Sequence, residues 1–468
     1  MRTQKSPIPF ALAAGLLLLA ANSAWSQAGP GPEIEKRLDW IRANAVVVRS
    51  VDPADEDWSD LAPLAESIGA ARIVQIGEAS HSAGTDFATK VRLIKFLHEK
   101  MGFDVLVWES GLFDCREMDT ALRSDVPVVD AARKGAFTIW VTEETMPLFE
   151  YARKTWLTDR PLRMAGFDEQ FSSKNAPTRF LAKLNAFFDA VGPDFPGNGI
   201  RKDLGELAAL MESRTLNPDS YKKVAPAISA AIEAIDAGGP RASRFRDPLE
   251  IAFFRRTLKD LQVFSASSAA RNTPEFAKGL EDPAVRDKNN AFWNARDAQN
   301  AENMKWLLEE YFRGRKLIVW AHNGHVMSCY YNKDWRSLTL KKPEGAIVPM
   351  GVFLKESLGL DVYTIGLTGY SIEKGSLGPG AKDFVPPAPP AGSIEDLCHR
   401  TGQPHLFIDL RRVGNDPDHW LRKPIVFGGR GYTWETIEDW TKAFDAFFFN
   451  DVIKPSRMIA AQPAPPAK

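Results

Sequence analysis

The chain has 468 residues, of which 44% are hydrophobic and 25% charged, with a formal net charge of −1. This is the composition of an ordinary globular protein with room for one large or two medium domains. The near balance of charge excludes a general field for nucleic acid or for an anionic membrane.

The first segment, MRTQKSPIPFALAAGLLLLAANSAWSQA, places Arg2 and Lys5 ahead of an apolar run that ends in small residues. It reads as a signal peptide over residues 1–28, cleaved after Ser26 or Ala28. The alternative is an uncleaved anchor; no later segment is long and apolar enough to cross a bilayer. Export to the periplasm or the medium is therefore expected, a compartment that permits disulfides. The three cysteines, Cys115, Cys329 and Cys398, allow at most one. No CxxC or CxxH zinc spacing occurs.

From Asp52 onward, short apolar runs end in polar residues and are followed by helical periodicity. ARIVQIGEASH (Ala71 to His81) is the first such run. The segment after it has Phe87, Val91, Ile94 and Leu97 at helical spacing, with His98 expected on its surface. FDVLVWESG (Phe103 to Gly111), PLRMAGFDEQ (Pro161 to Gln170) and KLIVWAHNGH (Lys316 to His325) repeat the pattern, and DVYTIGLTG and HLFIDLRR are later strand candidates. Runs apolar on both faces and alternating with helices predict a mostly parallel sheet covered on both sides, an α/β fold of three α/β/α layers. Between Gln170 and Arg315 only helical periodicity is found. The expected division is 29–170 for the first part of the core, 171–315 for a helical insertion that forms a lid or a packing wall, 316–455 for the rest of the core, and 456–468 for a disordered tail.

In a parallel α/β sheet the carboxyl ends of the strands line the ligand crevice. The run ends carry Glu78 and His81, then Glu109, then Asp168 and Glu169, then His322 and His325. Taken singly, each has a plain reading: a hydrogen-bonded histidine, a salt-bridge partner for Glu109, a helix N-cap for Asp168. Taken together they predict one site. A carboxylate at the end of an apolar strand loses solvation unless it is paired, and neighbouring histidines favour its ionised form. Such mutual tuning suits general acid–base work. Neither a phosphate-binding glycine loop nor a GxSxG nucleophile elbow is present.

These blocks resemble the erythromycin esterase family. GEASHS (Gly77 to Ser82), KVRLIKFLHEKMGF with Lys90 and Arg92, VLVWES, IWVTEETMPLFEYAR, MAGFDEQ, RDAQNAENMKWLL, VWAHNGHV and GSIEDLCHRTGQPHLFIDLR follow the family order over roughly Asp60 to Arg412. Ser82 stands where the family often has Gly, and Asn300 where it has Met. The resemblance implies hydrolysis of an ester, a macrolide lactone being one candidate, by water rather than by a serine nucleophile. His81 would be the base, supported by Glu78, Glu109 and His322. His325, Asp168, Lys90, Arg92 and Arg296 would surround the substrate. No cofactor or metal is expected, and the partner is a small-molecule ester. Two other readings of the same cluster stay open: a metal-dependent hydrolase, and a non-catalytic protein that binds haem or another small molecule.

Overall fold

The computed structural model describes residues 31–459 apart from 193, 238–246, 280 and 379–383. The expected signal peptide lies outside the described residues. The strands are β1 (Val46–Val47), β2 (Ile73–Ile76), β3 (Phe103–Gly111), β4 (Arg163–Asp168), β5 (Lys316–Trp320), β6 (Tyr330–Tyr331), β7 (Leu338–Thr339), β8 (Val362–Ile372), β9 (His405–Asp409), β10 (Ile425–Arg430), β11 (Thr433–Ile437) and β12 (Ala446–Ile453). Eight of them form the central sheet, in the order β1-β9-β12-β8-β2-β5-β3-β4. From β12 to β4 every neighbouring pair is parallel; β9 runs antiparallel to both β12 and β1. The α/β fold with a mostly parallel sheet is thus as expected, with β9 reversed. The strand AFFFNDVI of β12, in the middle of the sheet, is not among the elements predicted above. Nor are the hairpins β6–β7 and β10–β11.

Period-two alternation assigns the two faces. Ile73, Val105, Val107, Leu317 and Val319 pack into one hydrophobic core, and Val74, Ile76, Leu106, Trp108, Ile318 and Trp320 into the other. The second core is closed by the helix Gly84–Met101 through Phe87, Val91 and Ile94, and by Met146–Thr155 through Leu148 and Phe149. The first is closed by helices inserted between β4 and β5. Ala176–Val191, Asn198–Glu212, Pro226–Ala237, Pro248–Arg271 and Pro283–Trp306 contribute Phe180, Leu207, Ile228, Leu258 and Met304 to it. These helices cover one face of the sheet, and the last of them reaches the strand ends.

Two expectations are corrected. His98 is buried, not on the surface: it faces the Tyr151 hydroxyl at 2.6 Å and the Arg160 carbonyl at 3.0 Å. Of the expected disordered tail, 456–468, the first four residues are ordered, with Ile459 donating its backbone N–H to the Val141 carbonyl, and 460–468 lie outside the described residues. All three cysteines are free thiols in the core. Among the described residues no helix is long and apolar enough to cross a membrane.

Candidate active site

Sheet register builds the site. Ile76 pairs with Trp320, Trp320 with Trp108, and Trp108 with Gly166. Glu78, His322 and Asp168 each follow that row by two residues and Glu109 by one, so four adjacent parallel strands deliver them to one edge. Asn323 binds the edge together. Its amide donates to the carbonyls of Leu367 (2.8 Å) and Gly429 (2.6 Å), and its backbone N–H donates to the Glu78 carbonyl at 2.8 Å. Residue 77 must be glycine because a Cβ there would overlap the Asn323 side chain.

Two clusters result. In the first, Glu78 is fully buried and Oε1 accepts from His81 Nδ1 (2.8 Å) and from the Trp140 indole (3.1 Å). The Lys90 ammonium donates to Oε2 at 2.6 Å and to the Ala321 carbonyl at 3.0 Å, and lies 4.4 Å from the Trp320 ring centroid. Burial pulls the Lys90 pKa down, against the pull of Glu78. The His81 side chain keeps 37% of its surface exposed. With Nδ1–H given to the carboxylate, its Nε2 makes no hydrogen bond within the described residues.

In the second cluster, the two oxygens of Glu109 are fully engaged. Oε2 accepts the His322 backbone N–H at 2.8 Å, and Oε1 accepts from His325 Nε2 at 3.1 Å and Arg296 Nη2 at 3.4 Å. The other nitrogen of His325 reaches Asp297 Oδ1 at 2.8 Å. Burial opposes charge on His325, but Asp297 and Glu109 on either side more than offset it and raise its pKa to about 10. It is an imidazolium at neutral pH, with both N–H groups donating. Burial likewise works against the Glu109 carboxylate, yet His325, then His81 and Arg296, hold it well below the ordinary range. Arg296 clamps Asp168 through Nε (3.0 Å) and Nη2 (2.6 Å) and lies 5.0 Å from the Trp293 ring centroid, leaving Nη1 without a partner among the described residues.

His322 joins the clusters without doing the work of a base. Its ring lies 5.0 Å from that of His81, Nε2–H donates to the Ala79 carbonyl (3.0 Å), and Nδ1 accepts the Gly324 N–H (2.9 Å). Lost solvation, then the neighbouring His81, push its pKa down to about 3, so it is neutral and has no spare lone pair. Lys90 and Asp168 are sealed from solvent, which corrects their expected contact with substrate: one holds Glu78, the other holds Arg296. Arg92 is not at the site. Two residues beyond Lys90 on an α-helix it points roughly 200° away, where it binds both oxygens of Asp60 and the carbonyls of Ser50 and Asp57. Glu169 is buried beside Asp168; burial, then that neighbour, raise its pKa well above the ordinary range. The sequence reading missed Trp140, Asp297 and Asn323. No group of three or more His, Cys, Asp or Glu side chains among the described residues is placed to hold a metal ion.

Comparison with known proteins bears on the family and the fold. The sequence profile of the erythromycin esterase family matches residues 98–453. The chain belongs to the erythromycin esterase family. YbfO of Bacillus subtilis (strain 168), named as a candidate hydrolase, is 29% identical over 454 residues, covering 95% of this chain and 97% of its own. The erythromycin esterase type II of Escherichia coli is 21% identical over 416 residues, 81% of this chain and 90% of its own. Among solved structures, a Bacillus cereus protein has a TM-score of 0.71 at 21% identity, covering 91% of this chain and 99% of that one. A mutant of the erythromycin esterase EreC in its open conformation has 0.59 at 16%, covering 87% and 96%. These last two likenesses bear on the fold. The protein is an erythromycin esterase-like hydrolase; Glu78, His81 and Lys90 lie ahead of the segment the profile matches.

Proposed function

We propose that this hydrolase cleaves a carboxylic ester by direct attack of water, with His81 as the general base. The observation that carries the reading is the unengaged Nε2 of His81, opposite an Nδ1–H committed to a buried carboxylate. Water would give a proton to Nε2 as its oxygen adds to the ester carbonyl. Glu78 stabilises the imidazolium so formed, and the same proton passes from Nε2 to the departing alkoxide. Glu78 can serve this purpose because Lys90 and Trp140 fix its position and charge. Arg296, already bound on its other edge, offers Nη1 to a substrate oxygen. Direct attack is favoured because, among the described residues, no hydroxyl is bonded to His81: Ser80 Oγ donates instead to the Ser376 carbonyl at 2.7 Å. A serine nucleophile needs hydrogen-bond reach of its base.

The name of the E. coli relative makes a macrolide lactone the first ester to test, beside a panel of small alkyl and aryl esters. The test is intact-protein mass spectrometry on rapidly quenched turnover of whichever ester is cleaved. Product with no covalent acyl adduct is expected, and an adduct of the acyl mass would overturn direct attack. The basic, apolar and small-residue order of residues 1–28 further supports a proposal of export, which N-terminal sequencing of the mature protein checks.

A further inference from the structure

The last described residues are tied to both loops that complete the first cluster. Gly84 donates its N–H to the Lys454 carbonyl (2.8 Å), and Ser456 donates to the Ser82 carbonyl (2.8 Å), so this segment pairs with the turn directly after His81. Three residues on, Glu143 donates to the Arg457 carbonyl (2.9 Å) and Ile459 to the Val141 carbonyl (3.1 Å), which pairs the segment with the turn directly after Trp140. The Arg457 guanidinium adds ion pairs of 3.0 Å with both Glu143 and Glu144. Those two turns follow the two residues whose N–H groups converge on Glu78 Oε1. Residue 84 is accommodated to the segment as well: a Cβ there would lie 2.8 Å from the Pro455 carbonyl oxygen and 2.9 Å from Ser456 Cα, both backbone atoms.

We propose that Lys454–Ile459 is a strap that positions the catalytic pair, fixing His81 and Trp140 on Glu78 by pairing at once with the turn that follows each. Trp140 is thereby a positioning residue, acting on the base through the carboxylate. The strap is bonded to the protein by backbone groups and the Arg457 side chain rather than by a hydrophobic face, so it can be loosened without opening a core. Its contribution to catalysis rests on His81 being the base, as proposed above; its contribution to the geometry of Glu78 does not.

Gly84→Ala separates the strap from the rest of the fold. Alanine favours the helix that starts at residue 84, while its methyl group meets the strap backbone. The experiment compares the full-length protein, Gly84→Ala, Trp140→Phe and the double variant. Trp140→Phe keeps an aromatic ring and removes the indole N–H. Two readouts need no turnover: hydrogen exchange of the Ser456 and Ile459 amides, and the Trp140 indole N–H signal. The third is kcat and KM for phenyl acetate. In Gly84→Ala the two amides and the indole exchange faster. Each single variant loses about tenfold in kcat, the size of one oriented hydrogen bond to a charged group, with KM nearly unchanged. The double variant is no slower than Trp140→Phe alone, because both changes act through one bond. An unperturbed Trp140 signal when the strap amides exchange freely overturns the proposal, as do losses that multiply in the double variant. If the wild type cleaves no ester, the functional reading falls and the exchange data still decide the strap. Should Gly84→Ala not fold, Arg457→Ala takes its place in the same comparison: it loosens the same strap, and the same two results support or overturn the proposal.

Discussion

The Glu78 and Glu109 clusters each set a histidine and a basic side chain against a buried glutamate, and packing gives them opposite chemistry. Around Glu78, one histidine nitrogen is bound and the other is open, on a side chain 37% exposed. Around Glu109, both nitrogens of His325 are bound between two carboxylates, on a side chain 6% exposed. The first arrangement can take and return a proton. The second holds a fixed positive charge that keeps Glu109 ionised and, through Glu109 Oε2, anchors the backbone of His322. What separates the proposed base from the structural cation here is the number of partners that neighbouring elements supply to each ring. The helix Pro283–Trp306 supplies Asp297 to His325; among the described residues no element supplies a second acceptor or donor to His81.

Breaking the sealed cluster should have the largest effect on stability. Asp297→Asn removes one carboxylate from a buried imidazolium and is expected to destabilise the fold by about 3–5 kcal/mol, the usual penalty for halving a buried ion pair, read from urea melts at neutral pH. In the open cluster, Glu78→Gln leaves the buried Lys90 ammonium without its carboxylate and should also cost stability; in the protein that remains folded, kcat should fall by roughly 10- to 100-fold. Its amide cannot hold the charge opposite Lys90 or fix the His81 tautomer, a loss on the scale of one to two charge-assisted bonds. The pH dependence of stability tests the same charge without a change at the Glu109 or Glu78 carboxylate. His325 has a folded pKa of about 10 against an ordinary 6.5. The folded state therefore holds an extra proton between those values, and its contribution is complete below pH 6.5 and lost as pH rises through 10. Urea melts at pH 6 and pH 9 should show the wild type losing stability over that interval and His325→Gln losing less. Equal slopes would mean that His325 is not the charged group described.

Much of the central sheet is legible in the sequence because burial on both faces leaves an apolar run whatever the fold around it. The strands β2, β3, β4 and β5 stand out that way, and with them Glu78, Glu109, Asp168 and His322 at the strand ends. β12 meets the same test in Phe447, Phe448 and Phe449 yet escapes the strand reading; its position between β8 and β9 is a long-range fact that no local pattern holds. Asp297 escapes for a related reason. It lies in a helix dense with polar residues, and only the approach of His325 from the short helical turn after β5 marks which carboxylate turns inward. The difference between Lys90 and Arg92, by contrast, follows from helical geometry alone, since side chains two positions apart cannot serve one site. Which histidine is free cannot be read from the sequence at all, because, the Gly324 N–H apart, the partners of His322 and His325 are backbone and side-chain groups distant in sequence.

The division of labour is tested most directly by the hydrolysis rate of folded His81→Asn on an ester that the wild type cleaves. A loss of about 10²–10⁴ in kcat, the range for removing a positioned base, with an unchanged melting temperature, is the expected result. Turnover within a few-fold of the wild type would contradict it and return the search for the base to the other residues of the cleft.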